Sequence, residues 1–133
     1  MNMPATTAET ASASIIMPDL IACMEEAVSS VDLYVADAKA ALNELVSTDG
    51  KIDRKLMDVH QHAAHGFGWV ATYGETLREV AAWARRLDDE GKFGEIEALL
   101  TQILFHEYCA QLIGGIPMNQ GETIRPSDIG VSA

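Results

Sequence analysis

The fold is decided by residues 53–89, which read DRKLMDVHQHAAHGFGWVATYGETLREVAAWARRLDD. Apolar and small side chains recur in this stretch in alternating steps of three and four, at Leu56, Val59, Ala63, Gly66, Val70, Tyr73, Leu77, Val80, Ala84 and Leu87. This spacing keeps them on one side of an α-helix. The stretch therefore predicts one long amphipathic helix, with Asp53 as its N-cap.

Three glycines, Gly66, Gly68 and Gly74, lie inside this predicted helix. Each costs about 1 kcal/mol relative to alanine in a helix interior. Close approach of another helix would offset that cost, because a glycine lets two backbones come near each other. The competing outcome is a kink between Gly66 and Gly74.

Two further helices are predicted, one on each side of this stretch. The first covers about residues 19–47, begins at Asp19 as N-cap and ends at the turn sequence STDG at 47–50. The last covers about 93–114, is stopped by Gly114 and Gly115, and is apolar almost all round. Such a helix is expected to be buried on several sides, with His106 on its apolar stripe.

Short connections make neighbouring helices antiparallel, so the sequence predicts an all-α antiparallel bundle of three long helices. We expect residues 18–114 to form this bundle domain. Residues 1–17, rich in Ala, Thr and Ser, are expected to be a disordered leader, and residues 115–133 an extended tail. The second predicted helix carries another stripe, made by His62, His65, Trp69, Thr72, Thr76 and Trp83. Three helices cannot cover all these faces, so a fourth helix, a second copy or another domain is expected to complete the bundle.

Charge and composition exclude several classes of partner. The 133 residues carry 9 basic and 20 acidic side chains, a net charge of −11. Nucleic acids and anionic membranes attract basic proteins, so neither is expected as a partner. No secretory signal and no apolar run of membrane-spanning length is found. Cys23 and Cys109 lie far apart in sequence and form no CxxC motif, which fits a cytoplasmic protein with reduced thiols.

The candidate interface or ligand-contact residues are His62, His65, Trp69, Trp83 and His106. His62 and His65 are one helical turn apart, so they could share a metal ion or touch a ligand. A di-iron bundle, however, needs Glu-x-x-His motifs, and a zinc protease needs HExxH; both are missing. The sequence therefore assigns no catalytic, cofactor-binding or metal-binding residue.

Several short motifs carry a resemblance to a known family: QHAAHG at 61–66, GKFGE at 91–95, GGIPM at 114–118 and QGE at 120–122. Over roughly residues 53–130 the chain resembles the helical N-terminal extension of the methylsuccinyl-CoA dehydrogenase type of acyl-CoA dehydrogenase. The resemblance implies a FAD-dependent enzyme that oxidises 2-methylsuccinyl-CoA to mesaconyl-CoA in the ethylmalonyl-CoA pathway. Its flavin and its catalytic Glu belong to a dehydrogenase body outside the resemblance, so no cofactor is expected in this chain.

The resemblance therefore implies a non-catalytic domain that docks on an acyl-CoA dehydrogenase body or serves its oligomerisation. Two alternatives stay open from the residues themselves. One is a free-standing helical bundle that forms a homodimer through its apolar faces. The other is a small-ligand or metal-binding bundle that uses His62, His65 and His106.

Overall fold

The computed structural model describes residues 15–131 and confirms an all-α bundle with three long helices. The helices are α1 (Leu20–Val46), α2 (Arg54–Val59), α3 (Gln61–Asp89) and α4 (Glu95–Gly114). A short antiparallel hairpin joins α1 to α2, and each of its strands, β1 (Ser47–Thr48) and β2 (Lys51–Ile52), has two residues. After α4 come β3 (Ile116–Asn119), β4 (Glu122–Ile124) and a 3-10 helix (Pro126–Ile129). Most of the leader predicted at 1–17 lies outside the described residues.

The start of the predicted second helix is confirmed at Asp53, whose carboxylate accepts hydrogen bonds from the backbone N–H of Lys55 and Leu56. The helix is, however, divided at His60, whose backbone leaves helical geometry at φ −102° and ψ 28°. From Gln61 it continues without interruption to Asp89, through all three glycines. The irregularity therefore falls before Gly66 rather than between Gly66 and Gly74.

The N-cap role predicted for Asp19 is wrong. Asp19 does precede α1, but its side chain makes no capping hydrogen bond. Its backbone is in the left-handed region, with φ 54°. A capping residue typically has an extended backbone at its own position, and the left-handed conformation of Asp19 departs from that geometry.

Helix α3 lies between α1 and α4 and packs against both, whereas α1 and α4 contact each other much less. The core side chains come from one face of α1, from the predicted stripe of α3 and from one face of α4. They include Met24, Val31 and Ala38 of α1, Val70, Leu77 and Ala84 of α3, and Ala98, Phe105 and Leu112 of α4. The β3–β4 hairpin and the 3-10 helix add Ile116, Ile124 and Ile129 to this core.

The expectation that α4 is buried on several sides is wrong for this chain by itself. Its fully buried residues are Ala98, Thr101, Phe105 and Leu112, while Ile96, Leu100, Ile103 and Ile113 are exposed. His106 is also exposed rather than part of a core stripe. The reason is geometric, since α3 covers one side of α4 and no other described element covers the opposite side. Within residues 15–131, no helix combines the length and apolarity needed to cross a bilayer.

Candidate docking surface

The exposed side of α4 carries a regular row of residues that are apolar or small except for one carboxylate, Glu107. We define the outer stripe of α4 as Ile96, Leu100, Ile103, Glu107, Ala110 and Gly114, which alternate in steps of four and three. Its large members are well exposed, with 69% of Ile96, 60% of Leu100 and 59% of Ile103 accessible. Helices that pack side by side use this spacing for their contact seam. The outer stripe is therefore a helix-packing face with no partner among the described residues.

An open apolar groove runs between α1 and α4, beside the outer stripe. Two adjoining cavities of about 660 Å³ and about 390 Å³ share Ala27 and Cys109, so together they form one continuous groove. We call it the α1–α4 groove; its other principal lining residues are Leu20, Cys23, Met24, Val31 and Tyr34 of α1 and Ile103, Phe105, His106, Leu112 and Ile113 of α4. Because α3 packs against both α1 and α4, a helix laid along this groove would take the fourth position of a four-helix arrangement.

Other chain segments line the two ends of the α1–α4 groove. At one end, the backbone N–H of Met17 donates to Gln102 Oε1 at 2.6 Å, and Gln102 Nε2 donates to the carbonyl of Ile15 at 3.0 Å. At the other end, Pro126 and Val131 line the wall.

The charges of α1 differ between its two sides. Towards α3, Arg85 makes a bidentate ion pair with Glu25, with nitrogen–oxygen distances of 2.8 and 2.7 Å, and Arg78 pairs with Asp32 at 2.5 Å. The hydrogen bond from Arg85 lowers the pKa of Glu25, and the pKa of Arg85 rises in return. Towards the groove, by contrast, Glu107 of α4 lines the wall and makes no ion pair with any described residue.

Both cysteines line the α1–α4 groove as free thiols. Cys23 is exposed, whereas Cys109 is half-buried and its pKa is raised by burial. A thiol whose pKa is raised holds less of the nucleophilic thiolate at neutral pH. Cys109 therefore acts as a small apolar wall residue rather than as a reactive group.

The predicted histidine pair lies outside the α1–α4 groove, in a cleft lined by residues of α2, α3 and the β3–β4 hairpin. His62 Nδ1 is 3.6 Å from Glu122 Oε1, an ion pair when the imidazole is protonated. His65 Nε2 accepts a hydrogen bond from Trp69 Nε1 at 3.2 Å. His106 lines the other groove. Within residues 15–131, no three His, Cys, Asp or Glu side chains are grouped so that they could hold a metal ion.

The two candidate tryptophans have different surroundings. Trp69 is half-buried and begins a row of aromatic rings, with its edge against Tyr73 at a centroid distance of 6.5 Å. Tyr73 then stacks on Tyr108 of α4 at 4.3 Å and thereby joins the two helices. Trp83 is 37% exposed, nearer the end of α3. The contact between Tyr73 and Tyr108 was missed from the sequence, where 35 positions separate the two residues.

The glycine pair that ends α4 does not fit a nucleotide or flavin phosphate. Gly115 has φ +127°, and a Cβ at this position would lie 2.7 Å from Thr123 Cγ2, so the space beside it is filled by the hairpin. The chain leaves Gly115 as strand β3 and not as a new helix. A phosphate cradle would need free N–H groups at a helix N-terminus here.

These observations define a class of protein: a helical-bundle domain with a helix-packing surface that none of the described residues covers. The chain is 49% identical over 116 residues to the (2S)-methylsuccinyl-CoA dehydrogenase of Cereibacter sphaeroides. The alignment covers 87% of this chain but only 21% of that protein. It confirms the resemblance seen in the sequence and supports an acyl-CoA dehydrogenase-like helical domain. No family model matches the chain.

Proposed function

We propose that this chain is a non-catalytic helical domain that docks on the body of an acyl-CoA dehydrogenase through the α1–α4 groove and the outer stripe of α4. The observation that carries the proposal is the row of exposed aliphatic side chains on α4 beside an open groove. Full burial of one such side chain contributes about 1.5–3 kcal/mol. Covering several of them would be enough to hold a domain in place.

The similarity supports the same reading. The aligned segment is about a fifth of the relative's length, so most of that enzyme lies outside it. We assign flavin binding, the acyl-CoA pocket and the chemical step to that remaining part, for a substrate such as 2-methylsuccinyl-CoA. FAD held there would supply the hydride acceptor for the oxidation. Such an enzyme would work in the cytoplasm, where Cys23 and Cys109 stay reduced.

This chain's own residues would then contribute binding and orientation rather than catalysis. Helices α1 and α4 run in the same direction, because Leu20 lies near Gln102 at one end of the groove and Tyr34 near Leu112 at the other. A helix of the dehydrogenase body laid between them would complete a four-helix bundle. The domain would thereby be fixed relative to the active site without touching it.

A chimera tests the proposal: this chain replaces the aligned segment of the Cereibacter sphaeroides enzyme. Ile113→Glu puts a charge into the groove wall at a side chain that is 79% exposed in the free domain. Ile52→Glu in β2 is the matched control, because Ile52 is 68% exposed and lies outside the groove. Both variants should fold, since neither side chain belongs to the core.

We expect the Ile113→Glu chimera to release the domain, seen as faster proteolysis between domain and body and a larger radius in X-ray scattering. The Ile52→Glu chimera should match the parent. Equal behaviour of the two variants would contradict docking through the groove. Retained flavin absorbance verifies that the body is folded in every sample.

Self-association is the second candidate, favoured by the regular spacing of the outer stripe. Obligate helical dimers bury about 2,000 Å² or more in total. Sedimentation of the free chain separates the two candidates. A dimer that Leu100→Glu converts to monomer would favour the homodimer, and a monomer at micromolar concentration would favour docking on another protein.

A further inference from the structure

The α1–α4 groove has an apolar floor and an acidic rim. Neither α4 nor the part of α1 from Leu20 to Ala38 contains a Lys or Arg. Glu107 lines the groove from α4. On α1, exposed carboxylates lie one turn from groove residues: Glu26 follows Cys23 by three positions, and Asp37 follows Tyr34 by three. Residues three apart on a helix share a face, so we define the acidic rim as Glu26, Asp37 and Glu107.

The acidic rim is unneutralised, unlike the other side of the same helix. Glu25 and Asp32 of α1 are paired with Arg85 and Arg78 of α3. The side chains of Glu26, Asp37 and Glu107 make no ion pair or hydrogen bond with any residue in the described range 15–131. Three carboxylates beside an apolar trough create a local negative potential, and a partner with the opposite charge would relieve it.

The shape of the groove specifies the kind of element that fits. Its α1 wall extends from Leu20 to Tyr34, which at 1.5 Å per residue corresponds to a length of about 21 Å. A helix of about four turns spans this distance and would present one apolar face to the floor. Its flanking positions would then lie opposite the rim carboxylates.

We infer that the groove receives an amphipathic helix of a partner protein, with Lys or Arg side chains on both flanks of its apolar face. The inference rests on the proposed docking function and adds the chemistry of the partner. A second copy of this chain fits poorly, because pairing through the groove would bring two acidic rims together, and the groove-lining parts of α1 and α4 contain no Lys or Arg to offset them. Like charges placed opposite each other oppose association.

Two synthetic helical peptides test the inference. Both carry the same leucine face, and one has lysines at the flanking positions where the other has glutamates. We expect the lysine peptide to bind the chain at least about tenfold more tightly at physiological salt, where screening acts over about 8 Å. Isothermal titration calorimetry gives the affinity.

Two charge-reversal variants distinguish the effect of the acidic rim on peptide affinity from the effect of the chain's net charge. Glu26→Lys combined with Glu107→Lys should weaken binding of the lysine peptide about tenfold. Asp58→Lys combined with Glu79→Lys changes the net charge equally at exposed positions of α2 and α3 outside the groove. This control pair should change the affinity less than about twofold, because distant exposed charges are screened.

Equal binding of the two peptides, or equal loss in the two charge-reversal variants, would overturn the inference but leave docking through the groove intact. A homodimer dispersed by Ile113→Glu would also overturn it, since a second copy would then occupy the groove. Failure of the proposed function shows separately: neither peptide binds, and the Ile113→Glu chimera behaves like its Ile52→Glu control.

Discussion

Ile124 of β4 fills the space that the missing side chain of Gly66 leaves on α3. A Cβ added to Gly66 would overlap Cγ1 and Cδ1 of Ile124. Both residues are buried, with only 2% of Ile124 accessible. The glycine that weakens α3 locally is therefore the position where the β3–β4 hairpin docks on the bundle.

Gly66→Ala should lower the free energy of unfolding. The new methyl group collides with a buried side chain, and overpacking of this kind costs about 1–3 kcal/mol. Gly68→Ala is the control, because nothing lies within 4 Å of a Cβ at this exposed position. That variant should gain about 0.5–1 kcal/mol from helix propensity. Urea denaturation measures the free energy of unfolding of both variants. If that free energy changed with the same sign in both, Ile124 would not restrict the side chain at position 66.

The relation between Gly66 and Ile124 also shows where sequence reasoning stopped. The regular apolar spacing of residues 53–89 was sufficient to predict α3, because helix periodicity is a local signal. Close packing at the glycines was expected from another helix, and this holds only for Gly74, where Val35 of α1 is the neighbour. The partner of Gly66 is a short strand 58 positions away that has little periodicity of its own.

The candidate docking surface was only partly predictable. The sequence indicated excess apolar surface, but α4 is apolar almost all round, so its pattern could not show which face meets α3. The structure buries the face with Ala98, Thr101 and Phe105 and leaves Ile96 and Ile103 outside. The groove depends on how α1 and α4 diverge around α3, a tertiary relationship with no sequence signal.

Asp53→Ala should remove the cap of α2. The Asp53 carboxylate accepts hydrogen bonds from the N–H groups of Lys55 and Leu56 at 2.7 and 3.3 Å, and loss of such a cap costs about 0.5–2 kcal/mol. Asp53→Asn should retain most of the stability, because its amide oxygen can still accept. Asp58→Ala, an exposed change within the same helix, is the control. Thermal melts in which Asp53→Asn loses as much as Asp53→Ala would argue against capping.

The pair between Glu25 and Arg85 should make stability depend on acidic pH. The hydrogen bond from Arg85 lowers the pKa of Glu25 from its ordinary value of 4.5 in the folded chain. The folded state thus favours the ionised carboxylate, so the pair's contribution is present above pH 4.5 and is lost as the pH falls through the lowered pKa.

We therefore expect Glu25→Gln to have a lower melting temperature than the parent at neutral pH, and the difference to vanish in acid below the folded-state pKa. Glu26→Gln removes the neighbouring exposed carboxylate, which makes no such pair, and should behave like the parent throughout. A difference for Glu25→Gln that persists at the lowest pH would mean that the ion pair is not its origin.

Tyr73, which joins α3 to α4, should make the stability of the chain decrease at alkaline pH. Its hydroxyl donates to Gln111 Oε1 at 2.6 Å, and burial, followed by the charge of neighbouring Tyr108, raises its pKa above 10.0. The unfolded chain ionises first as the pH rises, so stability is full below about pH 10 and declines as the pH passes through the raised pKa. Tyr73→Phe should cost about 0.5–1.5 kcal/mol at neutral pH by loss of the hydrogen bond.

The same substitution should also reduce the alkaline decline, because one group with a raised pKa has been removed. Tyr34→Phe is the matched control: burial raises the pKa of Tyr34 too, but its hydroxyl makes no described hydrogen bond to α4. Tyr34→Phe should reduce the loss of stability at alkaline pH, and at neutral pH it should lower the free energy of unfolding by less than Tyr73→Phe does. Melting temperatures across the alkaline range, together with the ultraviolet absorbance of the phenolate, measure both effects. If Tyr73→Phe left the neutral stability unchanged, the bond to Gln111 would contribute nothing to joining α3 and α4.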